Sequence, residues 1–249
     1  MSNFIRNLRR LWLSENRFSK YLVYAIGEII LVVIGILIAL QINEWNERRQ
    51  HHQEENRILL SLKKDLINDT LQLTYNIITA KDRTAQIDSV YIALSNPHQF
   101  TSGKFLRMAY TLASSNEFNV NSGTFDESLS SGFLKYIRND LLRQQIFEYY
   151  RISKLNENDK YATQQKFDVV FPTMFKTLST SKDFFDQFIG HPSAFKQLDI
   201  ESLSRNIEFI AAVNQRYSSE KNQIQHWHHF ITMSKSLIFA IETELEISD

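Results

Sequence analysis

Residues 59–94 read LLSLKKDLINDTLQLTYNIITAKDRTAQIDSVYIAL. Leu59, Leu62, Leu66, Thr70, Leu73, Ile77, Ala80, Thr84, Ile87, Tyr91 and Leu94 recur in steps of three and four that alternate almost strictly. A period of about 3.5 residues is the spacing of a coiled-coil seam on a helix. Ile58, Leu60, Ile67, Leu71 and Ile78 widen that seam toward a bundle face. Asn96-Pro97 stops the helix, because proline lacks an N–H and pushes the residue before it out of helical geometry. Upstream, NEWNERRQHHQEENR (residues 43–57) is polar on every side and holds no breaker. The spacing therefore predicts one stalk helix over 43–96.

Working toward the N-terminus, residues 21–42 read YLVYAIGEIILVVIGILIALQI. As a helix they cover about 33 Å, enough for a hydrocarbon core of about 30 Å. Their Leu, Ile and Val residues favour insertion by about 4–8 kcal/mol in total, against roughly 3 for the carboxylate of Glu28. No small-x-small cleavage site follows, since Leu37 stands two before Ala39, so an uncleaved signal anchor is expected. Residues 1–20 carry Arg6, Arg9, Arg10, Arg17 and Lys20 against one Glu15. This basic segment, apolar at Phe4, Ile5, Leu8, Leu11 and Trp12, suits a helix on the inner leaflet, with Ser14 capping the next helix. The positive-inside rule then places the N-terminus in the cytoplasm and residues after 43 outside. Glu28, Gly35, Ala39 and Ile42 fall within about 40° of one line on a helical wheel. Gly35-x-x-x-Ala39 lets another helix approach closely, so Glu28, Gly35 and Ala39 are the expected interface for a second copy or another membrane protein.

Toward the C-terminus, residues 97–249 form the remaining domain, packed on the stalk. Six Gly and three Pro in 249 residues are too few for the turns of a β-sandwich or a Gly-rich nucleotide fold. Phe105, Met108, Ala109 and Leu112 have helical spacing. Thr124-Phe125-Asp126-Glu127 has the form of a capping box, with Thr124 as cap, Glu127 reaching back and Gly132 ending the short helix in left-handed geometry. Asn139 caps another helix through Leu142, Ile146, Tyr149, Tyr150 and Ile152, and Pro172 kinks or restarts a later one. Residues 184–195 (FFDQFIGHPSAF) read as an aromatic-rich loop able to face a ligand or partner. Residues 203–245 carry a second long series through Ile207, Tyr217, Trp227, Ile231 and Leu245. The fold class expected is all-α: a single transmembrane helix, a long stalk helix and an elongated antiparallel bundle whose two longest helices flank shorter ones.

Chemistry is sparse. Lys plus Arg equal Asp plus Glu at 28 each, which argues against a nucleic-acid partner. The absence of Cys removes disulfides, thiolate metal sites and cysteine nucleophiles. No Walker loop, dinucleotide fingerprint, Gly-x-Ser-x-Gly elbow or His-Glu-x-x-His occurs, and no cofactor is expected. His226 and His229 share a helix face and are weak metal candidates, since no carboxylate stands one turn away to complete a site; a polar helix face with one edge against aromatic core is the favoured reading. Thr124, Asp126, Glu127, Ser130, Ser131 and Gly132 form a dense polar element, read as a structural corner or a small polar ligand site.

Residues 15–24 (ENRFSKYLVY), followed by AIGEIILVVIGILIALQINEWNERR at 25–49, and TFDESLSSGFLKYIRNDLLRQQIFEYY at 124–150, carry a family likeness. Together they resemble the Bacteroidota domain-of-unknown-function family 6090, whose members show Thr-Tyr-Asp-Glu-Leu-x-Ser-Ser-Gly at the second motif. Here Phe125 replaces the Tyr and Ser128 stands at the apolar position, so a hydroxyl role at 125 is not carried over. The resemblance implies a single-pass inner-membrane protein of a Gram-negative cell with a periplasmic helical domain; it brings location and not function. The function expected is a non-enzymatic, membrane-anchored interaction or sensory protein that passes signals laterally through the bilayer. The alternatives are an accessory subunit of an envelope transport or stress-defence complex, and a metal-dependent enzyme using His226 and His229.

Overall fold

The computed structural model describes residues 16–190 and 195–248 and divides into two compact units, Met1–Glu54 and Glu55–Asp249. Among the described residues every regular element is helical. Helix α1 (Asn16–Ser95) contributes to each unit. The basic segment expected at the N-terminus, with its Ser14 cap, lies outside the described residues.

In the first unit, all of residues 21–50 are exposed, the Leu, Ile and Val side chains included. Among the described residues this is one helix long and apolar enough to cross a membrane. Glu28, Gly35 and Ala39 lie on it at helical spacing, all exposed, and a Cβ added at Gly35 would meet nothing within 4 Å.

The second unit contains α2 (Ser102–Tyr110), α3 (Gly123–Ser130), α4 (Asp140–Leu155), α5 (Glu157–Gln165), α6 (Phe171–Leu178), α7 (Lys182–Phe184), α8 (Ile200–Ser204) and α9 (Ile207–Ser248). Its core falls into three clusters along α1. Ile58, Leu59, Leu62 and Leu66 pack with Tyr149, Tyr150, Leu237 and Ile241. Leu73, Ile77 and Ala80 pack with Phe118, Trp227 and Phe230. Ile87, Val90 and Leu94 pack with Phe105, Met174, Phe209 and Val213. As α1 numbers rise, α9 numbers fall, so the two helices run antiparallel. The long helices thus share one core, with the shorter elements packed on them. The apolar seam over 59–94 is consumed inside the chain, packed against α9 and the shorter helices.

A second row on α1, Asp69, Gln72, Asn76, Thr79 and Arg83, also steps by three and four, and it is polar. Each member binds the irregular segment 114–121. Asp69 Oδ1 accepts from the Asn121 N–H at 2.8 Å, Gln72 Oε1 from the Asn119 N–H at 3.2 Å, and Asn76 Nδ2 donates to the Glu117 carbonyl at 3.1 Å. Thr79 Oγ1 and Arg83 Nη1 both donate to Asn116 Oδ1. This row lies beside the apolar seam and fixes how the segment sits on the helix.

Local signals behave largely as the residues dictate. Helix α1 ends at Ser95, before Asn96-Pro97. Asn139 Oδ1 accepts from the Leu142 N–H at 3.1 Å and caps α4. Pro172 sits in the first turn of α6, which restarts after a π-turn at Lys166–Val170. Of the stretch expected as an aromatic loop (184–195), Phe184 instead ends the helix Lys182–Phe184 and Phe185–Ile189 form a π-turn, closed by Gly190 at φ +67°; residues 191–194 lie outside the described residues. Ser181 supplies the missing start signal, its hydroxyl accepting from the Phe184 N–H at 3.2 Å.

Candidate functional site

The polar element at 124–132 folds as a corner, with its cap placed differently from the sequence reading. Helix α3 begins at Gly123, so Ser122 occupies the cap position and Thr124 lies within the first turn. The Ser122 hydroxyl donates to Asp126 Oδ2 at 2.7 Å, and the Ser122 carbonyl accepts from the Asp126 N–H at 2.8 Å. The capping-box assignment of Thr124 and Glu127 is therefore corrected. Asp126, held by Ser122 and Lys154, anchors the turn, and Glu127 stands two residues beyond Phe125, the position from which a capping-box side chain reaches back to Ser122. The Ser130 and Ser131 hydroxyls donate to the Glu127 carbonyl at 3.0 and 2.8 Å. Gly132 ends the helix at φ +73°, the left-handed conformation expected of it.

Beside this corner, α3 and α4 frame an open groove of about 730 Å³ lined by Phe125, Leu129, Phe147, Tyr150, Arg151 and Lys154, with Gln144 and Glu148 at its margin. The ring of Phe125 stacks on Tyr150 at 4.4 Å and meets Phe147 edge-on at 5.5 Å. Lys154 Nζ lies 5.5 Å from the Phe125 ring centre and pairs with Asp126. Arg151 pairs with Glu148 at 2.6 Å. The hydrogen bond from Lys154, with a second from Ser122, holds the Asp126 carboxyl below the usual range. Burial pushes the Tyr150 hydroxyl well up, and nearby Asp65 and Asp69 add to that. Tyr150 is thus held protonated, and the carboxylates of Asp126 and Glu148 are paired with Lys154 and Arg151. The groove has an apolar aromatic floor with charges of both signs among its lining residues.

Beneath the floor lies a polar core that sequence reasoning missed. Asp69 Oδ2 accepts from the Tyr149 hydroxyl at 2.7 Å, and Ser234 Oγ donates to the same hydroxyl at 3.1 Å. Burial raises the Asp69 carboxyl above its usual value, opposed by the bonds from Asn121 and Tyr149. Asp159, 2% exposed, accepts four hydrogen bonds: from the Phe118 N–H at 2.9 Å, Asn156 Nδ2 at 3.1 Å, Gln223 Nε2 at 3.0 Å and Trp227 Nε1 at 3.0 Å. Further along, Glu220 is shared by Arg83, at 2.9 Å, and Arg216. Glu220 and Ser234 were legible only as polar residues in the apolar phase of α9, while Asp69, beside the α1 seam, and Asp159, on α5, gave no such signal.

The remaining candidates lie apart from the groove. His226 packs its ring edge-on against Phe230 at 4.5 Å, while His228 and His229 are exposed. Burial lowers the His226 pKa, with His229 acting in the same direction and Asp159 opposing. Among the described residues no set of three or more His, Asp, Glu or Cys converges as a metal site. A smaller apolar cavity of about 140 Å³ is lined by Leu106, Tyr110, Phe171, Met174, Phe175 and Phe184. Phe184 belongs to the 184–195 stretch, and Tyr110 stacks on Phe188 of the same stretch at 4.6 Å.

No curated protein and no solved structure matches the chain. The model described as "Family of unknown function (DUF6090)" matches residues 28–190, from within the apolar run through the α3–α4 corner to the π-turn at Gly190. With well over half of its length matched, the chain belongs to this family of unknown function.

Proposed function

We propose that the protein is a single-pass, membrane-anchored interaction protein: N-terminus in the cytoplasm, helical unit on the outer face of the inner membrane, and a partner held rather than a reaction catalysed. The observation that carries the anchoring is the uncovered apolar run of residues 21–42, in which no side chain is buried by the chain itself. Lipid is the environment that makes such exposure favourable. For the binding role, support comes from the α3–α4 groove, whose Phe125, Phe147 and Leu129 surfaces suit an apolar anchor flanked by charge. The lateral face Glu28, Gly35 and Ala39 offers a second contact within the bilayer.

Two measurements test this reading. Alkaline phosphatase fused after Asp249 is expected to be active; an inactive fusion with a fluorescent cytoplasmic counterpart reverses the orientation. Copurification in mild detergent, read by mass spectrometry, is expected to retain a partner that Phe147→Ala and Lys154→Glu both release while unfolding curves stay unchanged. A partner indifferent to both substitutions removes the groove from the proposal.

A further inference from the structure

The first and second rows of α1 are spent inside the chain, but a third is not. Leu60, Lys64, Ile67, Leu71, Thr74 and Ile78 step by four, three, four, three and four, and every one of them is exposed. Leu60, Ile67, Leu71 and Ile78 are 56%, 42%, 64% and 55% exposed, and Tyr75 beside them is 62% exposed. Isolated surface leucines are ordinary; five large apolar side chains on one line of one helix are not. Strict alternation of three and four is the a/d pattern of a two-helix seam, with Leu71 and Ile78 at one set of core positions and Leu60 and Ile67 at the other. Lys64 then falls at a core position, the kind of polar substitution that sets register and partner number at some cost in stability.

We infer that α1 pairs in parallel with α1 of a second copy of this chain through the row Leu60–Lys64–Ile67–Leu71–Thr74–Ile78. A second copy fits because the repeat supplies its own complement: a heptad row facing an identical row interdigitates without any other surface being shaped for it. Covering the five large side chains removes roughly 500 Å² per copy, or about 1,000 Å² in all, which reaches the lower limit of a specific interface. Confinement to one membrane raises the effective concentration enough for an interface of that size to be occupied. The parallel sense and the occupancy gained from confinement rest on the membrane-anchored reading; the self-complementary row does not.

Because the chain contains no cysteine, single Leu60→Cys and Ile78→Cys variants of the full chain report on the pairing by oxidative crosslinking in native membranes. Parallel in-register pairing is expected to crosslink each variant with itself, while Lys160→Cys, exposed on α5, stays at least tenfold lower. Lys64→Leu, added to either, is expected to raise the crosslinked fraction several-fold. The mutated side chains are exposed, so unchanged far-ultraviolet dichroism and unfolding midpoints verify the fold. If neither variant crosslinks, alone or mixed, the inference is overturned. Crosslinking only in the Leu60→Cys and Ile78→Cys mixture means antiparallel copies, which overturns the parallel arrangement. Carbonate extraction, run on the same membranes, decides the anchoring reading separately: a protein released by carbonate refutes the anchor whatever the crosslinks show.

Discussion

Replacing Asp159 separates a carboxylate that organises the fold from one that merely fills space. In Asp159→Ala the Phe118 N–H, Asn156 Nδ2, Gln223 Nε2 and Trp227 Nε1 all lose their acceptor, and Trp227 and Gln223 are buried. Each orphaned donor costs about 1–3 kcal/mol, and water entering the vacated space recovers part of that, so a net loss of about 4–6 kcal/mol is expected. This is a large share of the ~5–15 kcal/mol that typically separates folded from unfolded states. Asp159→Asn has a different outcome. Oδ2 receives three of the four bonds and Oδ1 only the one from Gln223 Nε2, while Gln223 Oε1 is buried without a partner. An asparagine carbonyl in the Oδ2 position keeps three bonds, and its amide can donate to Gln223 Oε1 once that side chain flips. The cost is then about 1–2 kcal/mol, the difference between charged and neutral acceptors. Urea unfolding of the full chain in detergent, followed by dichroism at 222 nm, measures both. A loss under ~2 kcal/mol for the alanine, or an asparagine as damaging as the alanine, refutes the hub.

Other substitutions test the remaining claims. Thr124→Ala should change stability by no more than about 0.5 kcal/mol, because Ser122 and not Thr124 occupies the cap; a loss near 1 kcal/mol in the same unfolding assay would restore the capping box. Gly132→Ala, at φ +73°, should cost about 1 kcal/mol through left-handed strain alone, since a Cβ there meets nothing within 4 Å. His226 has a lowered folded pKa, so the unfolded chain takes up its proton first as pH falls. Its contribution is complete above about 6.5 and declines as pH drops from there through the folded value; His226→Phe should flatten that segment of the stability–pH curve. Asp126 behaves as a surface acid with a lowered pKa. Its contribution is present above about 3.8 and lost below it, is under ~1 kcal/mol, and should fade in high salt.

What the sequence made legible was whatever rests on period and punctuation. The 59–94 seam, the stop at Asn96-Pro97, the Asn139 cap and left-handed Gly132 all depend on local residue chemistry, and each appears where that chemistry puts it. The pairing of the seam was not legible, because a 3.5-residue apolar repeat is satisfied equally by a copy or by α9. Leu60, Ile67, Leu71 and Ile78 were read as a widening of that seam, yet they lie outside it and face solvent. The polar row from Asp69 to Arg83 was hidden for a related reason. Its partners on that segment are backbone groups 41–52 residues away and the side chain of Asn116, 33 and 37 residues away, and no local preference announces them. The cap of α3 moved because Gly123 accepts helical geometry and Asp126 competes for the Ser122 hydroxyl. The groove could not be read at all: its floor joins Phe125 of α3 to Phe147 and Tyr150 of α4, a juxtaposition made only by the intervening turn.

Segment 114–121 belongs to no helix, yet its amides at Phe118, Asn119 and Asn121 are claimed by side chains of Asp159, Gln72 and Asp69. Amide hydrogens in an irregular stretch usually exchange with solvent deuterium within seconds, whereas these can exchange only when the stretch lifts from α1. Two of the three acceptors are carboxylates whose other bonds tie α4, α5 and α9 together, so lifting the stretch also loosens those contacts. In a deuterium-uptake map, 118, 119 and 121 should therefore label with the slow helical core, while the neighbouring amide of Ser115 labels early. A segment that looks like a linker would then mark the last part of the fold to open.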